Sequence, residues 1–184
     1  MVMKMTVTKA LLLALTVGVA CADVDPAQLS GPWRTSAMAS DNLEMILEGG
    51  PLRMLFREME CNEECNALNV FFYVKKNEVC TPHRVVAQKN ADGIYTTDFE
   101  GQTSFQFQEL DPVRQIVFLS NMASDGTTSR LSFLVVKLRV INDDLEDYAR
   151  LTEQNGIPRK HLSTLRTPPL EKVPERSRPF QNRP

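Results

Sequence analysis

The sequence predicts an all-β domain in which about eight antiparallel strands form a closed up-and-down barrel, with one C-terminal α-helix packed outside it. Two observations lead to this fold class. Apolar and polar residues alternate over short segments that turn-forming residues separate, which is typical of strands joined as hairpins. Near residue 143 the period changes to that of an amphipathic helix. A sandwich of two sheets is the alternative that the same pattern leaves open.

The composition excludes several classes of function. The 184 residues are enough for one domain, and a hydrophobic content of 42% predicts a packed core. The formal net charge of −2 does not provide the basic surface that nucleic acid requires, so we expect no nucleic-acid partner. Two histidines and four cysteines offer little material for a zinc site, so we expect neither a metal nor a cofactor.

Residues 1–22 have the pattern of a secretory signal peptide. A positively charged start precedes an apolar stretch over residues 10–20, and Ala20 and Ala22 are the small residues that a cleavage site needs. The apolar stretch is too short to span a bilayer, so we expect no membrane insertion. The mature protein is therefore predicted to be extracellular. A lipoprotein signal, with Cys21 as the lipidated residue, is the competing interpretation.

The predicted strands follow one another at hairpin spacing. Turn residues separate them, among them Asp92 with Gly93 and Asp125 with Gly126, since glycine after aspartate tolerates positive φ. The strands cover residues 52–59, 68–74, 79–88, 94–100, 103–110, 115–122 and 130–140.

One helix is predicted over residues 143–155. Asn142 is a good N-cap, and the two aspartates that follow it complement the positive end of the helix dipole. Gly156 is a plausible left-handed stop. The apolar face of this helix consists of Leu145, Tyr148 and Leu151.

The end of the chain has a different composition from the barrel. Residues 168–184 hold five of the 11 prolines among alternating charges, and we expect this tail to be disordered. The barrel domain with its helix is accordingly predicted to span residues 23–167.

Three cysteines remain after the signal peptide, namely Cys61, Cys65 and Cys80. An odd number in a secreted protein leaves one thiol free or paired between molecules. Polar residues separate Cys61 from Cys65, as in a turn, and a disulfide between these two is the predicted pair. Cys80 is then the thiol without an intramolecular partner.

Several motifs carry a resemblance to a known family. Gly31-Pro-Trp33 resembles the G-x-W motif that opens the first strand of lipocalins. The C-x3-C motif at 61–65 is characteristic of the odorant-binding, aphrodisin, probasin and dander-allergen branch of that family. Segments 39–42, 48–53 and 145–158 resemble the same branch, and the likeness extends over residues 28–166.

The resemblance implies a lipocalin-like barrel in which Trp33 closes the bottom of the barrel against a basic side chain. Lys137 stands where the family usually has arginine, and a lysine still places a charge over the indole face. Cys80 matches a cysteine that the family bridges to the segment after the helix, but no cysteine follows residue 80. The helix is therefore expected to be held by its apolar face alone.

The resemblance also implies which side chains face the interior, where this family binds its ligands. They are nearly all apolar, which favours a small hydrophobic ligand of the odorant or pheromone class. From the residues alone, the alternative is that these side chains simply fill the core, and the phenylalanines would leave little space. The expected ligand-binding residues are Leu52, Met54, Phe56, Met59, Val70, Phe72, Val85, Thr97, Phe99, Phe105, Phe118, Ser120, Leu131 and Val135.

The sequence thus predicts a secreted carrier rather than an enzyme. His83 and His161 have no serine or cysteine motif beside them, and a thiol enzyme using Cys80 is the weaker hypothesis, so we expect no catalytic residues. A protein-interaction or inhibitor module that uses the loops and the C-terminal tail is the alternative function. A cell-surface receptor is a candidate partner, and either a monomer or a dimer fits the sequence.

Overall fold

The computed structural model describes residues 25–137 and 142–165, and the predicted signal peptide and C-terminal tail lie outside them. Its helices are α1 (Pro26–Leu29) and α2 (Asn142–Gln154), and 3-10 turns cover Leu43–Met45 and Arg159–His161. The strands are β1 (Gly31–Pro32), β2 (Arg34–Ser40), β3 (Met54–Cys61), β4 (Ala67–Lys76), β5 (Val79–Lys89), β6 (Tyr95–Asp98), β7 (Gln102–Asp111), β8 (Arg114–Met122), β9 (Thr128–Val136) and β10 (Leu162–Thr164).

All described strands belong to one antiparallel sheet in the order β1-β3-β4-β5-β6-β7-β8-β9-β2-β10. The strands β1 and β2 are consecutive parts of one segment, interrupted at Trp33. Because β1 pairs with β3 and β2 pairs with β9, this segment joins both ends of the sheet and closes it into a barrel. The predicted fold class, an all-β barrel with one external helix, is confirmed. The short strand β10 along β2 was not predicted.

The strand boundaries differ from the prediction at two places. β3 begins at Met54 rather than at Leu52, which is buried in the preceding turn. β6 has only four residues, whereas the prediction extended it over 94–100. Glu100 and Gly101 adopt φ values of 52° and 107°, and this left-handed backbone ends the extended conformation.

A β-bulge in β3 joins the first strand to the sheet. The register between β3 and β4 shifts between Phe56 and Glu58, so Arg57 has no opposite residue in β4. The Arg57 carbonyl instead accepts a 2.8 Å hydrogen bond from the backbone N–H of Trp33. The bulge also explains why Phe56 and Met59, three positions apart, both face the interior.

Two apolar clusters pack against the sheet, one inside the barrel and one between part of its outer face and α2. The interior cluster lines the barrel with side chains from nearly every strand, and Trp33, Phe72 and Phe133 are among its largest fully buried members. The outer cluster lies between the sheet and α2, where Leu134 packs with Tyr148. β8 and β9 therefore have apolar side chains on both faces.

The helix is held to the barrel by polar contacts as well as apolar ones, so the expectation of apolar contacts alone is wrong. The Tyr148 hydroxyl donates a 2.9 Å hydrogen bond to the Ser132 carbonyl, and the Ser132 and Thr152 hydroxyl oxygens lie 3.0 Å apart. Burial raises the pKa of Tyr148 well above its ordinary value. Asp144, which is also buried, forms an ion pair with Arg114 of β8.

The predicted glycine stop of α2 is present. Gly156 has a φ of 81°, and its N–H donates a 2.9 Å hydrogen bond to the Glu153 carbonyl. The next amide, that of Ile157, donates to the Thr152 carbonyl. These bonds satisfy carbonyls at the end of the helix, as glycine-capped helices commonly do.

Candidate ligand-binding interior

The end of the barrel opposite the β2–β3 loop is closed by Trp33. The indole is 1% exposed, and its Nε1–H donates a 2.7 Å hydrogen bond to the Leu29 carbonyl. Lys137 lies with its Nζ 4.9 Å from the centre of the indole ring. The ammonium also donates to the carbonyls of Gln28 at 2.6 Å and Ser30 at 2.9 Å. The structure thus has the contact between Trp33 and a basic residue that the resemblance implies.

The disulfide lies at this closed end, beside the interior. Cys61 and Cys65 are bonded, with their Cα atoms 4.6 Å apart, so the predicted pair is confirmed. The Tyr95 hydroxyl donates a 2.6 Å hydrogen bond to the Cys65 carbonyl. The β3–β4 turn is therefore tied to β6. Cys80 is the free cysteine in the described part of the chain, and it is exposed on β5.

Aromatic rings lie in the interior in two layers. The layer nearer the closed end contains Tyr95, Phe105 and Phe107, with ring centres 5.5 to 5.9 Å apart. The second layer lies farther from the closed end, and its neighbouring ring centres are 4.9 to 6.2 Å apart. Its members are Phe56, Phe72, His83, Phe99 and Phe133.

Most of the residues expected to line the interior do face it. Val85 and Phe99 are half-buried against the interior cluster, and Thr97 lies opposite the buried Thr103 on the inner face of the sheet. The members that are buried within the cluster itself are Leu52, Met54, Phe56, Met59, Val70, Phe72, Phe105, Leu131 and Val135.

The prediction that Phe118 and Ser120 face the interior is wrong. Phe118 packs against the outer cluster beside α2, and Ser120 lies opposite Ser104 on the outer face. Val117 and Leu119 occupy the inner positions of β8 instead. Phe118 and Ser120 line a groove of about 240 Å³ beside the C-terminal end of α2.

Two inward residues that sequence reasoning missed had a signal in their own strands. Phe133 lies between the predicted Leu131 and Val135 at the spacing of a strand, and it is fully buried in the interior cluster. His83 lies two residues before Val85 and therefore shares its face, where its ring stacks on Phe72 at 5.5 Å. The sequence analysis considered His83 only as a histidine without a catalytic motif beside it.

The interior also holds an amide side chain. Gln115 is fully buried and lies opposite Val135, so it points inward near the closed end. Neither Oε1 nor Nε2 of Gln115 has a hydrogen-bond partner among the described residues. The buried Asn121, in contrast, donates to the hydroxyl of Thr103 at 2.9 Å. Gln115 is therefore a donor and an acceptor that a bound molecule could use.

No three histidine, cysteine or acidic side chains are placed to share a metal ion anywhere in residues 25–137 and 142–165. In the same part of the chain, neither helix has the length and apolar character that crossing a membrane would require. Within the described residues, the interior is mainly apolar and aromatic, with the buried amide of Gln115 near the closed end and the hydrogen-bonded amide of Asn121 farther from it.

Comparison with known proteins identifies the class to which this barrel belongs. Residues 30–166 match the Lipocalin / cytosolic fatty-acid binding protein family. The chain therefore belongs to the lipocalin family.

The relatives fall in the branch that the sequence motifs indicated. An odorant-binding protein of Rattus norvegicus is 37% identical in an alignment of 167 residues that covers 85% of this chain and 94% of that protein. A male-specific submandibular salivary gland protein of Mesocricetus auratus is 34% identical over 86% of this chain and 95% of its own length. Among solved structures, aphrodisin, a sex pheromone from female hamster, has a TM-score of 0.71 at 30% identity, covering 74% of this chain and 94% of aphrodisin.

Proposed function

We propose that this chain is a secreted carrier that binds one small, mainly apolar molecule inside its barrel. The observation that carries the proposal is the continuous apolar and aromatic interior of a barrel closed at one end by Trp33. Removing apolar surface from water contributes about 25 cal/mol per Å², so an odorant-sized molecule can reach micromolar affinity in such an interior.

The relatives support the class of ligand and the place of action. Several carry the name odorant-binding protein, and one solved relative is a bovine odorant-binding protein in complex with its natural ligand. Others are named for salivary and lacrimal glands, which favours secretion of this chain as well. Residues 1–22, with the sequence pattern of a signal peptide, support the same proposal.

Displacement of a fluorescent probe tests the carrier. N-phenyl-1-naphthylamine should bind the purified protein saturably, and small apolar odorants should displace it. Phe72 is fully buried inside, whereas its neighbour Phe71 lies on the outer face against Tyr73. We expect Phe72→Leu to weaken probe binding about five-fold, since an aromatic contact contributes about 1 kcal/mol, and Phe71→Leu to leave it unchanged. Absence of saturable binding, or equal effects of the two variants, would contradict the proposal.

The buried amide of Gln115 supports a finer statement about the ligand. A ligand with one hydroxyl or carbonyl group would supply the hydrogen bond that Gln115 does not make within the described residues. Gln115→Leu should therefore weaken binding of an alcohol about five- to ten-fold and change binding of the parent hydrocarbon by less than about two-fold. Equal changes for the alcohol and the hydrocarbon would show that Gln115 does not contact the ligand.

A further inference from the structure

The wall of the barrel is interrupted between β5 and β6. β4 and β5 are paired along their whole length, from Ala67 opposite Gln88 to Lys76 opposite Val79. β5 and β6, in contrast, are paired only at Gln88 with Thr96 and at Lys89 with Tyr95 within the described sheet. Residues 84–87 of β5 therefore have a strand partner on one side and a gap on the other. We call this gap the β5–β6 window.

Side chains rather than backbone hydrogen bonds bridge the inner side of this window. The rings of His83, on β5, and Phe99, just after β6, lie with their centres 5.0 Å apart in an edge contact. Both side chains are half-buried. Moving either ring breaks no strand pairing, because side-chain rotations of this kind take place without opening the sheet.

A cleft of about 880 Å³ lies outside this window and continues along the outer face of the sheet as far as Met122 of β8 and Thr128 of β9. Its outward-facing lining includes Arg84, Val86 and Thr96, and its inward-facing lining includes Val85 and Thr97. The window therefore opens toward solvent on its outer side.

The mouth of the barrel, which is the end opposite Trp33, is covered by the β2–β3 loop. The β2–β3 loop places Ile46 and Leu52 in the interior cluster with at most 1% of each side chain exposed. The Leu52 N–H donates to the Met45 carbonyl at 3.0 Å, and Nη1 of Arg53 donates to the Ile46 carbonyl at 2.7 Å. Entry at the mouth would have to break these contacts.

We infer that the β5–β6 window is the route by which the ligand enters and leaves the interior. The side chains of His83 and Phe99 close this route on its inner side and move apart when the ligand passes. Four residues of extended chain make the unpaired segment of β5 about 13 Å long. This inference rests on the proposed carrier function. It places ligand entry and exit at one side of the barrel rather than at its mouth.

Two exposed aliphatic residues provide a matched test. Val86 lies on the outer rim of the window and is 51% exposed, and Leu47 lies on the loop over the mouth and is 53% exposed. Val86→Trp should narrow the window without changing the interior. Stopped-flow mixing with N-phenyl-1-naphthylamine should show association and dissociation both slowed about five-fold, with Kd changed by less than about two-fold. Leu47→Trp should leave both rates as they are.

A third variant should act in the opposite direction. His83→Ala removes the ring contact with Phe99 that closes the inner side of the window. It should therefore accelerate both association and dissociation of the probe about two-fold or more. Circular dichroism confirms that each variant is folded before its rates are compared. Slower rates in Leu47→Trp with unchanged rates in Val86→Trp, or unchanged rates in all three variants, would overturn the route through the window. Absence of saturable probe binding by the unaltered protein would instead refute the carrier function itself.

Discussion

Replacing Trp33 with alanine should destabilise the protein more than any surface change, because this one side chain closes the barrel. A buried tryptophan removes about 200 Å² from water, which at 25 cal/mol per Å² contributes about 5 kcal/mol. Trp33 is 1% exposed, and partial collapse of the surroundings offsets part of the loss. We therefore expect the free energy of unfolding to fall by about 4 kcal/mol.

Urea denaturation followed by far-ultraviolet circular dichroism measures this loss. Trp33 is the single tryptophan of the chain, so its fluorescence cannot report on the alanine variant. Trp33→Phe is the control: it keeps a ring beneath Lys137 but removes the hydrogen bond to the Leu29 carbonyl. It should lose about half as much stability as the alanine variant. A loss below about 1 kcal/mol in Trp33→Ala would refute the closing role of this residue.

Three further outcomes are expected. Arg114→Met should lower stability by about 2 kcal/mol at pH 7, because it leaves the carboxylate of Asp144 buried without this ion-pair partner. Burial alone would raise the pKa of Asp111, but hydrogen bonds from Arg114 and a backbone amide lower it. The difference in the free energy of unfolding between Arg114→Met and the parent should therefore shrink as the pH falls through that lowered pKa, and a difference that stays constant with pH would contradict this. Tyr148→Phe should cost about 1 kcal/mol and increase hydrogen exchange in α2 relative to the barrel, and uniform exchange would contradict local detachment. Iodoacetamide should alkylate Cys80 in the folded, unreduced protein, and mass spectrometry that finds this residue unmodified would show that it is protected or paired.

The alternation of residues predicted the barrel but failed where both faces of a strand are covered. In β8, Ile116 packs under α2 and Val117 packs inside the barrel, so the segment 116–119 is apolar throughout. Where every residue of a segment is apolar, the sequence does not show which alternate residues face the interior, and Phe118 was assigned to the wrong face for this reason. In β4, whose outer face is not covered by α2, the buried and half-buried positions alternate and the assignment of Val70 was correct.

Two features of the site depend on contacts between distant parts of the chain and left no local signal. The gap beside β5 arises because its pairing with β6 ends at Gln88, and no residue in either strand marks that position. The ion pair of Arg114 with Asp144 joins a strand to a helix, whereas the sequence indicated only that Asp144 complements the helix dipole. The motif Gly31-Pro-Trp33, in contrast, predicted a specific long-range contact because it carried the pattern of a family.

The closure of the barrel by its first strand also determines when the protein can fold during synthesis. The segment that carries Trp33 is made early, whereas β9 and Lys137 are made much later, since Gln28 and Lys137 are separated by 109 positions. A ribosome adds about 5 to 20 residues per second, so β2 waits for about 5 to 20 seconds with an unpaired edge. Until β9 emerges, the nascent chain presents an open sheet, which makes this interval the one in which chaperones would be needed.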